Sequence, residues 1–271
     1  MRKITFTLGV AALSLALVAC QTSVTSLSKG QTGNISYPGK EGFTLSGKLE
    51  LPDSVNGMAP AVILVHGAGG LGYRQWTWGP FLREQGLATM TIDYFGPRGH
   101  SFGSRERVPA PIFDIIDAMN ILATHPKIDP ERIGVIGWSN GGVMSINAAN
   151  VGAGLGGGRT LKAHVALYPV CQQTSLGAGG SGSPVLILLG SNDSFTTSKL
   201  CQNVVDVGIE GGRDVRMIVY EGAYHGWDGD YSGSFPYKNF GSVTFQPNGE
   251  VTTRSRRDVM DFLGRTLNVG S

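Results

Sequence analysis

One short run, residues 137–142 (Gly-Trp-Ser-Asn-Gly-Gly), constrains the fold of this chain more than any other feature. It follows an apolar run at 133–136 and precedes a segment at 143–150 that can form a helix. A strand, a tight turn flanked by glycines and a helix together lift a serine clear of an α/β sheet as a nucleophile. Glycine is needed because side chains at 137 and 141 would collide with adjacent backbone in this strained turn. The pattern therefore predicts Ser139 as a nucleophile.

The spacing alone is weak evidence, because the chain has 41 glycines among 271 residues. With so many glycines, a chance Gly-x-Ser-x-Gly match is expected about half the time. A second match, at 99–103, contains Ser101. Ser101 lies in a polar segment interrupted by prolines, with no helix after it to complete the turn. The context therefore favours Ser139.

The N-terminus has the features of an export signal. A basic start at 1–3 is followed by an apolar stretch at 4–18 and by small residues before Cys20. Such an order is typical of a secretory signal, and the apolar run is too short to indicate a membrane span. Residues 17–20 (Leu-Val-Ala-Cys) resemble the bacterial lipoprotein box, whose cysteine becomes the lipidated first residue of the mature chain. We predict a signal peptide at 1–19 and lipidation at Cys20. An ordinary cleaved signal with an incidental cysteine is the alternative.

The residues after Cys20 indicate where the protein is located and how the rest of the chain is divided. Gln21 follows the cysteine, and by resemblance to envelope lipoproteins this implies a protein of the bacterial cell envelope, anchored in the outer membrane and facing the periplasm. Residues 20–33 are predicted to be the lipidated cysteine and a flexible tether rich in Ser, Thr and Gly. Residues 34–271 are predicted to form a single domain with a substantial core. A net charge of only +2, with no basic block, argues against a nucleic-acid partner.

Two further cysteines, Cys171 and Cys201, remain in the predicted domain. Two cysteines in an oxidising compartment most simply form one disulfide, and two free thiols are the alternative. The pair flanks the segment that carries Asp193, so a bridge would fix that loop.

Apolar runs alternate with helical patterns along the domain. Residues 44–51 alternate in polarity, which suits an exposed or edge antiparallel strand, whereas the continuous apolar run at 61–65 suits a strand buried on both faces. Further strands are predicted at 88–92, 132–136, 163–167, 185–189 and 215–219, with helices at 111–124 and 258–267. This alternation predicts an α/β fold, with a mostly parallel central sheet flanked by helices on both faces. The ligand is then expected beyond the carboxyl ends of the strands.

A serine nucleophile needs a base within hydrogen-bonding distance. His225 lies on a loop soon after the strand at 215–219, at the end of the sheet where a base is needed. His66 also follows a strand, but it begins the run His-Gly-Ala-Gly-Gly, which better suits an anion-binding turn. We therefore predict His225 as the base.

The base in turn needs a carboxylate that fixes its tautomer. Asp193 follows the preceding strand, and its alternative role is to cap a helix at 197–207. Asp228 and Glu221 are rival acids, but both are close to His225 in sequence. The order Ser139, Asp193, His225 is the order of α/β-hydrolases.

Two backbone N–H groups are expected to stabilise the oxyanion. One should come from Asn140, directly after the nucleophile. The other should come from the turn after the 61–65 strand, at Ala68, with Gly69 as the second candidate.

Two residues are candidates for substrate binding. Arg98, after the 88–92 strand, is placed to pair with a substrate carboxylate, and a structural ion pair or a contact with a backbone carbonyl is the more common use of such an arginine. Trp138, with Trp76, Trp78 and Trp227, is placed to form an aromatic acyl pocket, and core packing is an equal alternative.

The ordered motifs resemble the dienelactone hydrolase family of α/β-hydrolases over most of residues 34–267. The runs that carry the resemblance are 66–70 (HGAGG), 93–99 (DYFGPRG), 137–142 (GWSNGG), 168–171 (YPVC), 190–193 (GSND) and 224–226 (YHG). The namesake enzymes use cysteine at the elbow and act on a cyclic dienelactone in the cytoplasm, whereas exported relatives with serine resemble general esterases. The resemblance implies hydrolysis of a small-molecule carboxylic ester, of esterase or lactonase type, without metal or organic cofactor. The alternatives are a non-catalytic envelope lipoprotein that binds a ligand and a small peptidase of the same fold.

Overall fold

The computed structural model describes residues 23–53, 57–100, 111–237 and 240–269. The predicted signal peptide, Cys20 and Ser101 lie outside the described residues. The strands of the central sheet are β1 (Gly33–Pro38), β2 (Thr44–Glu50), β3 (Ala59–Val65), β4 (Ala88–Asp93), β5 (Ile128–Trp138), β6 (Ala163–Leu167), β7 (Val185–Gly190) and β8 (Val215–Tyr220). A separate antiparallel hairpin consists of β9 (Gly233–Tyr237) and β10 (Gly241–Phe245). The helices are α1 (Tyr73–Glu84), α2 (Ile112–Leu122), α3 (Asn140–Ala148), α4 (Ser198–Glu210) and α5 (Gly249–Leu267).

The sheet has the strand order β1-β2-β4-β3-β5-β6-β7-β8. β2 pairs antiparallel with β1 and with β4, and the strands from β4 through β8 are parallel to one another. Every residue of β3, β6 and β7 is buried, as the apolar runs at 61–65 and 185–189 predict. The buried residues of β6 include His164. The predicted α/β fold with a mostly parallel sheet is therefore confirmed.

Alternate residues of β3 join two different cores, one on each face of the sheet. Ile63 and Val65 pack in the cluster that contains α2, whereas Val62 and Leu64 pack in the cluster that contains α1 and α5. Helices therefore cover both faces, because successive side chains of a strand point to opposite sides.

The N-terminal segment differs from the prediction of a flexible tether. Leu27 is fully buried, and its backbone N–H donates to Thr124 Oγ1 over 2.7 Å. The N–H of Val24 donates to the carbonyl of Ser36, and β1 follows at once as the edge strand beside β2. The domain thus includes residues 24–33, because one well-placed leucine anchors a polar segment to the core. Because β1 pairs with its outer side, β2 is antiparallel as predicted but is not an edge strand.

Within the described ranges, no helix is long and apolar enough to cross a membrane.

A buried histidine away from the site makes stability depend on pH. His164 in β6 is fully buried, with Nδ1 3.0 Å from the Ser145 carbonyl oxygen and Nε2 3.3 Å from Ser181 Oγ. Burial lowers the pKa of His164 to about 4, against 6.5 for the free side chain. Because the unfolded chain binds a proton that the folded chain does not, the stabilisation is present above pH 6.5 and is lost as the pH falls toward 4.

We expect the free energy of unfolding to fall by about 3 kcal/mol from this group between pH 7 and pH 4. Urea denaturation at several pH values measures it. The variant His164→Gln lacks this titration, so its stability should depend less steeply on pH over the same range. An equal slope in both proteins would contradict the assignment.

Candidate active site

The predicted nucleophile turn is present between β5 and α3. Ser139 has φ 52° and ψ −114°, a backbone conformation that L-residues rarely adopt. A side chain at Gly137 would overlap the carbonyl of Gly141, and one at Gly141 would overlap the carbonyl of Val65. The two glycines are therefore required by close backbone approach, as the sequence predicted.

The structure brings the three predicted side chains into one hydrogen-bonded chain. Nε2 of His225 lies 2.9 Å from Ser139 Oγ, and Nδ1 of the same ring lies 2.8 Å from Asp193 Oδ2. The histidine follows β8 and the aspartate follows β7, so the carboxyl ends of neighbouring strands deliver them to the same edge. His225 and Asp193 are buried, and Ser139 is partly exposed. The His225–Asp193 pair is therefore shielded from water, and Ser139 lies at the border between the interior and the surface.

A hydrogen bond within the loop and a disulfide nearby fix the loop that carries Asp193. Oδ1 of Asp193 accepts the backbone N–H of Phe195 at 2.8 Å. A disulfide joins Cys171, after β6, to Cys201, in α4, and so confirms the predicted pairing. The N-cap of α4 is Thr197, whose side chain accepts from the Leu200 N–H. The capping alternative for Asp193 is thus wrong.

Asp228, a rival acid, has a different set of partners. Its carboxylate accepts the indole N–H groups of Trp78 and Trp138, both at 2.8 Å, and the hydroxyl of Tyr168. Nε of Arg74 lies 3.2 Å away. These donors saturate a carboxylate that is only 3 % exposed, so it is a structural centre that joins α1, β5 and the loop after β6. The other rival, Glu221, is exposed.

Neither predicted substrate-binding side chain is free to bind a substrate. Trp138 is fully buried with its indole N–H on Asp228, because alternation along β5 directs it into the core while the elbow lifts Ser139 out. Arg98 makes a two-pronged contact with Asp114, at 2.7 and 2.9 Å, and a third contact with Glu41 at 3.1 Å. Asp114 is 2 % exposed and requires a cation, which explains why Arg98 serves a structural ion pair.

The other three tryptophans do not form the aromatic acyl pocket that the sequence analysis considered. Trp78 and Trp227 are fully buried, and Trp76 is 71 % exposed on α1.

The turn after β3 lies against the nucleophile. A side chain at Gly67 would come within 3.3 Å of the Ser139 Cβ, so the two backbones are in close approach. The Asn140 side-chain amide donates to the hydroxyl of Tyr94 at 3.0 Å, and Tyr94 reaches the Gly67 carbonyl at 3.4 Å. Burial raises the pKa of Tyr94 to about 12, so its hydroxyl keeps the proton that it donates. This bridge holds the turn and the elbow at a fixed separation.

His66 supports that turn rather than the nucleophile. Its ring stacks on Tyr94 with centroids 4.0 Å apart, and its Nδ1 lies 2.8 Å from the Gly67 carbonyl oxygen. Among the described residues, the backbone N–H groups of Ala68, Gly69 and Asn140 have no hydrogen-bond acceptor. The predicted oxyanion donors are therefore available to a ligand.

Sequence reasoning missed the β9–β10 hairpin, which packs beside the base. His225 forms an isolated β-bridge with Phe245 of β10. A weak signal was present: Phe235 and Tyr237 before Gly241, and Val243 and Phe245 after it, each lie two residues apart, as on one face of a strand.

Across the described ranges, no group of three or more His, Cys, Asp or Glu side chains is arranged to hold a metal ion.

Ser139 in the turn after β5, Asp193 after β7 and His225 after β8 follow the chain order of the α/β-hydrolases, and the sheet has their mostly parallel architecture. The protein thus belongs to that class of fold. Within the class, the chain is a member of the dienelactone hydrolase family, whose family model matches residues 88–267.

Solved structures of similar fold include esterases. A Klebsiella pneumoniae protein assigned as a dienelactone hydrolase superposes with a TM-score of 0.67 at 18% identity, covering 86% of this chain and 98% of that one. The thermophilic esterase Est2 of Thermogutta terrifontis, with propionate bound, superposes with a TM-score of 0.64 at 16% identity, covering 90% and 97%. At these identities the likeness shows the fold.

Two curated relatives match part of the chain. An uncharacterized protein of Pseudomonas aeruginosa is 27% identical over 169 residues, which is 51% of this chain and 45% of that protein. The thiohydrolase aneE of Aspergillus aculeatus is 32% identical over 117 residues, or 40% and 34% of the two chains. The chain thus spans less than half the length of either relative.

Proposed function

We propose that this protein is a serine esterase, with carboxylic esters or lactones as substrates, that acts through a Ser139–His225–Asp193 triad and an acyl-enzyme. The observation that carries the proposal is the unbroken hydrogen-bonded chain from Ser139 Oγ through both ring nitrogens of His225 to Asp193. A serine hydroxyl becomes an effective nucleophile when a base is held at such a distance and a carboxylate orients the base.

The first half-reaction forms the acyl-enzyme. Nε2 of His225 takes the Ser139 proton as Oγ attacks the ester carbonyl, and the carbonyl electron pair moves onto oxygen. The N–H groups of Asn140 and of Ala68, with Gly69 as the second candidate, stabilise that oxyanion. Collapse of the intermediate breaks the ester C–O bond, and His225 gives its proton to the departing alcohol.

The second half-reaction restores the enzyme. His225 takes a proton from water, whose oxygen attacks the acyl carbon. The bond between the acyl carbon and Ser139 Oγ breaks, His225 returns the proton to Oγ, and the carboxylic acid leaves. Asp193 accepts the Nδ1 proton of His225 in a hydrogen bond throughout and so stabilises the imidazolium.

Structural neighbours suggest which substrates to test first. The Thermogutta terrifontis esterase has been seen with propionate and with butyrate bound, and phosphorylated by paraoxon. Short acyl groups are therefore the first choice in a panel of acetyl and butyryl esters, lactones and polyesters.

A fluorophosphonate probe tests the proposal directly, because it forms a covalent bond only with an activated serine. Folded protein should be labelled once, at Ser139, and should hydrolyse at least one ester of the panel. Absence of labelling in folded protein would favour the non-catalytic lipoprotein.

We further propose that the mature protein is lipid-anchored through Cys20 to the cell envelope, in the outer membrane facing the periplasm. The support is the order of basic, apolar and small residues before Cys20, with Gln21 after it. In a bacterial host, the full chain should incorporate labelled palmitate and enter the membrane fraction. Cys20→Ser should lose both properties while the Cys171–Cys201 disulfide still forms. Unchanged labelling of the variant would contradict the anchor.

A further inference from the structure

The β9–β10 hairpin places aromatic rings against the base. The His225 ring lies 4.5 Å from the Phe195 ring and 5.5 Å from the Phe245 ring, centroid to centroid. Phe195 comes from the acid loop, and Phe245 comes from β10. The hairpin pairs with neither edge of the central sheet, so the main fold does not need it for its strand pairing.

These contacts continue outward from the base. The Phe195 ring contacts Tyr237 at 4.8 Å and Phe240 at 5.1 Å, and Phe245 stacks on Phe235 at 5.4 Å with 17° between the ring planes. We call these five side chains the aromatic wall: Phe195, Phe235, Tyr237, Phe240 and Phe245. The wall runs from a buried ring, Phe195, to Tyr237, which is 42 % exposed.

The hairpin is also fixed against the helix that begins at the nucleophile. Val243 of β10 is fully buried and shares one apolar cluster with Val143, in the first turn of α3, and with Val170. A contact to α3 and a bridge to His225 hold the hairpin on two sides. The wall therefore has a defined place relative to Ser139.

Chemistry decides which part of an ester meets the wall. In the proposed mechanism His225 must protonate the departing oxygen, so the alcohol part lies beside the His225 ring. The oxyanion donors are at Asn140, at the start of α3, and in the turn after β3, which approaches Ser139 through Gly67; neither belongs to the hairpin. The rings that begin at His225 therefore border the alcohol side of the site.

We infer that the aromatic wall is a subsite for an aryl ring in the alcohol part of the ester. The inference rests on the proposed esterase function. Aromatic rings attract one another in edge-to-face and offset arrangements with centroids 4.5–7 Å apart, beyond what burial of area alone provides. A flat substrate ring extends the series of ring contacts that the wall already makes, whereas a saturated ring of equal reach gains only burial.

A matched pair of esters tests the subsite. Benzyl acetate and cyclohexylmethyl acetate share the acyl group and have alcohols of similar reach, one aromatic and one saturated. We expect the wild-type protein to favour benzyl acetate in kcat/KM by about tenfold, the scale of one or two good ring contacts. Tyr237→Leu and Phe240→Leu should each lower that ratio to about threefold or less. Trp76→Leu, an exposed aromatic residue of α1 outside the wall, should leave the ratio unchanged.

The outcomes separate the subsite from the esterase itself. Turnover of both esters at equal rates would overturn the aryl subsite and leave the esterase proposal standing. If Tyr237→Leu and Phe240→Leu both keep the wild-type ratio of the two kcat/KM values, the aryl subsite is also overturned. This holds as well if the two variants change the size of the oligomer, since the hairpin would then be a contact between copies of the chain. A preference for the aryl ring only in the acyl part, seen as faster turnover of methyl phenylacetate than of methyl cyclohexylacetate, would overturn it too. No turnover of any ester, with no fluorophosphonate labelling, would instead reject the esterase function.

Discussion

Ser139→Ala is expected to reduce turnover of a short-chain p-nitrophenyl ester to background, a loss in kcat of about 10⁶-fold. The variant removes the only atom that bonds to the acyl group in the proposed mechanism. The backbone donors and the binding surface remain, so a small residual rate above water is compatible with the mechanism. Steady-state kinetics together with fluorophosphonate labelling measure the effect, and both signals should disappear together.

Ser101→Ala is the matched control, because Ser101 lies in the other Gly-x-Ser-x-Gly run. It should retain most of the turnover and all of the labelling. The thermal midpoint of Ser139→Ala should not fall, because the elbow is set by its glycines and the substitution removes only a hydroxyl. The reverse pattern, with an inactive Ser101 variant and an active Ser139 variant, would reject the elbow assignment.

Asp193→Asn is expected to lower kcat by about 10³- to 10⁴-fold with little change in the volume of the side chain. The amide can present an N–H to His225 Nδ1, which favours the tautomer with its proton on Nε2, facing Ser139. That tautomer cannot take the serine proton. Unfolding curves should show that the variant remains folded, because the disulfide and the loop contacts of Cys171 and Thr196 persist.

The two rival carboxylates provide the controls. Glu221→Gln should behave as wild type, because Glu221 is exposed. Asp228→Asn should instead lower stability, by about 3 kcal/mol, because it leaves the Arg74 charge without its partner and turns an amide N–H donor toward buried N–H and O–H donors. A fully active Asp193→Asn enzyme beside an inactive, well-folded Asp228→Asn enzyme would move the acid to Asp228.

The turn at Ser139 and the meeting of Asp193 and His225 beside it were predictable because each depends on local sequence and on chain order. The glycines at 137 and 141, two residues on either side of Ser139, indicate that the backbone leaves no room for a side chain at those two positions. Asp193 and His225 each follow an apolar run, and the carboxyl ends of parallel strands meet at one edge of the sheet.

The local sequence did not predict the role of a side chain whose partners are distant in the chain. Arg98 was a candidate for binding a substrate, but its partners Asp114 and Glu41 are 16 and 57 residues away in the sequence. Trp138 adjoins the nucleophile in sequence and yet points toward Asp228, 90 residues on. Leu27 was assigned to a tether, because a single leucine in a polar stretch carries no periodic signal.

The sequence by itself determined the α/β layering, the position of the nucleophile turn and the order of the three side chains that meet there. It could do so because buried apolar runs and obligatory glycines are local consequences of backbone geometry and of the hydrophobic effect. Only the tertiary structure decided that Arg98 and Trp138 are occupied within the protein and that Asp228 is surrounded by indole and hydroxyl donors. It alone also placed the aromatic hairpin beside the base. Those outcomes depend on which distant groups approach within a hydrogen bond or a ring contact, and no local pattern encodes that distance.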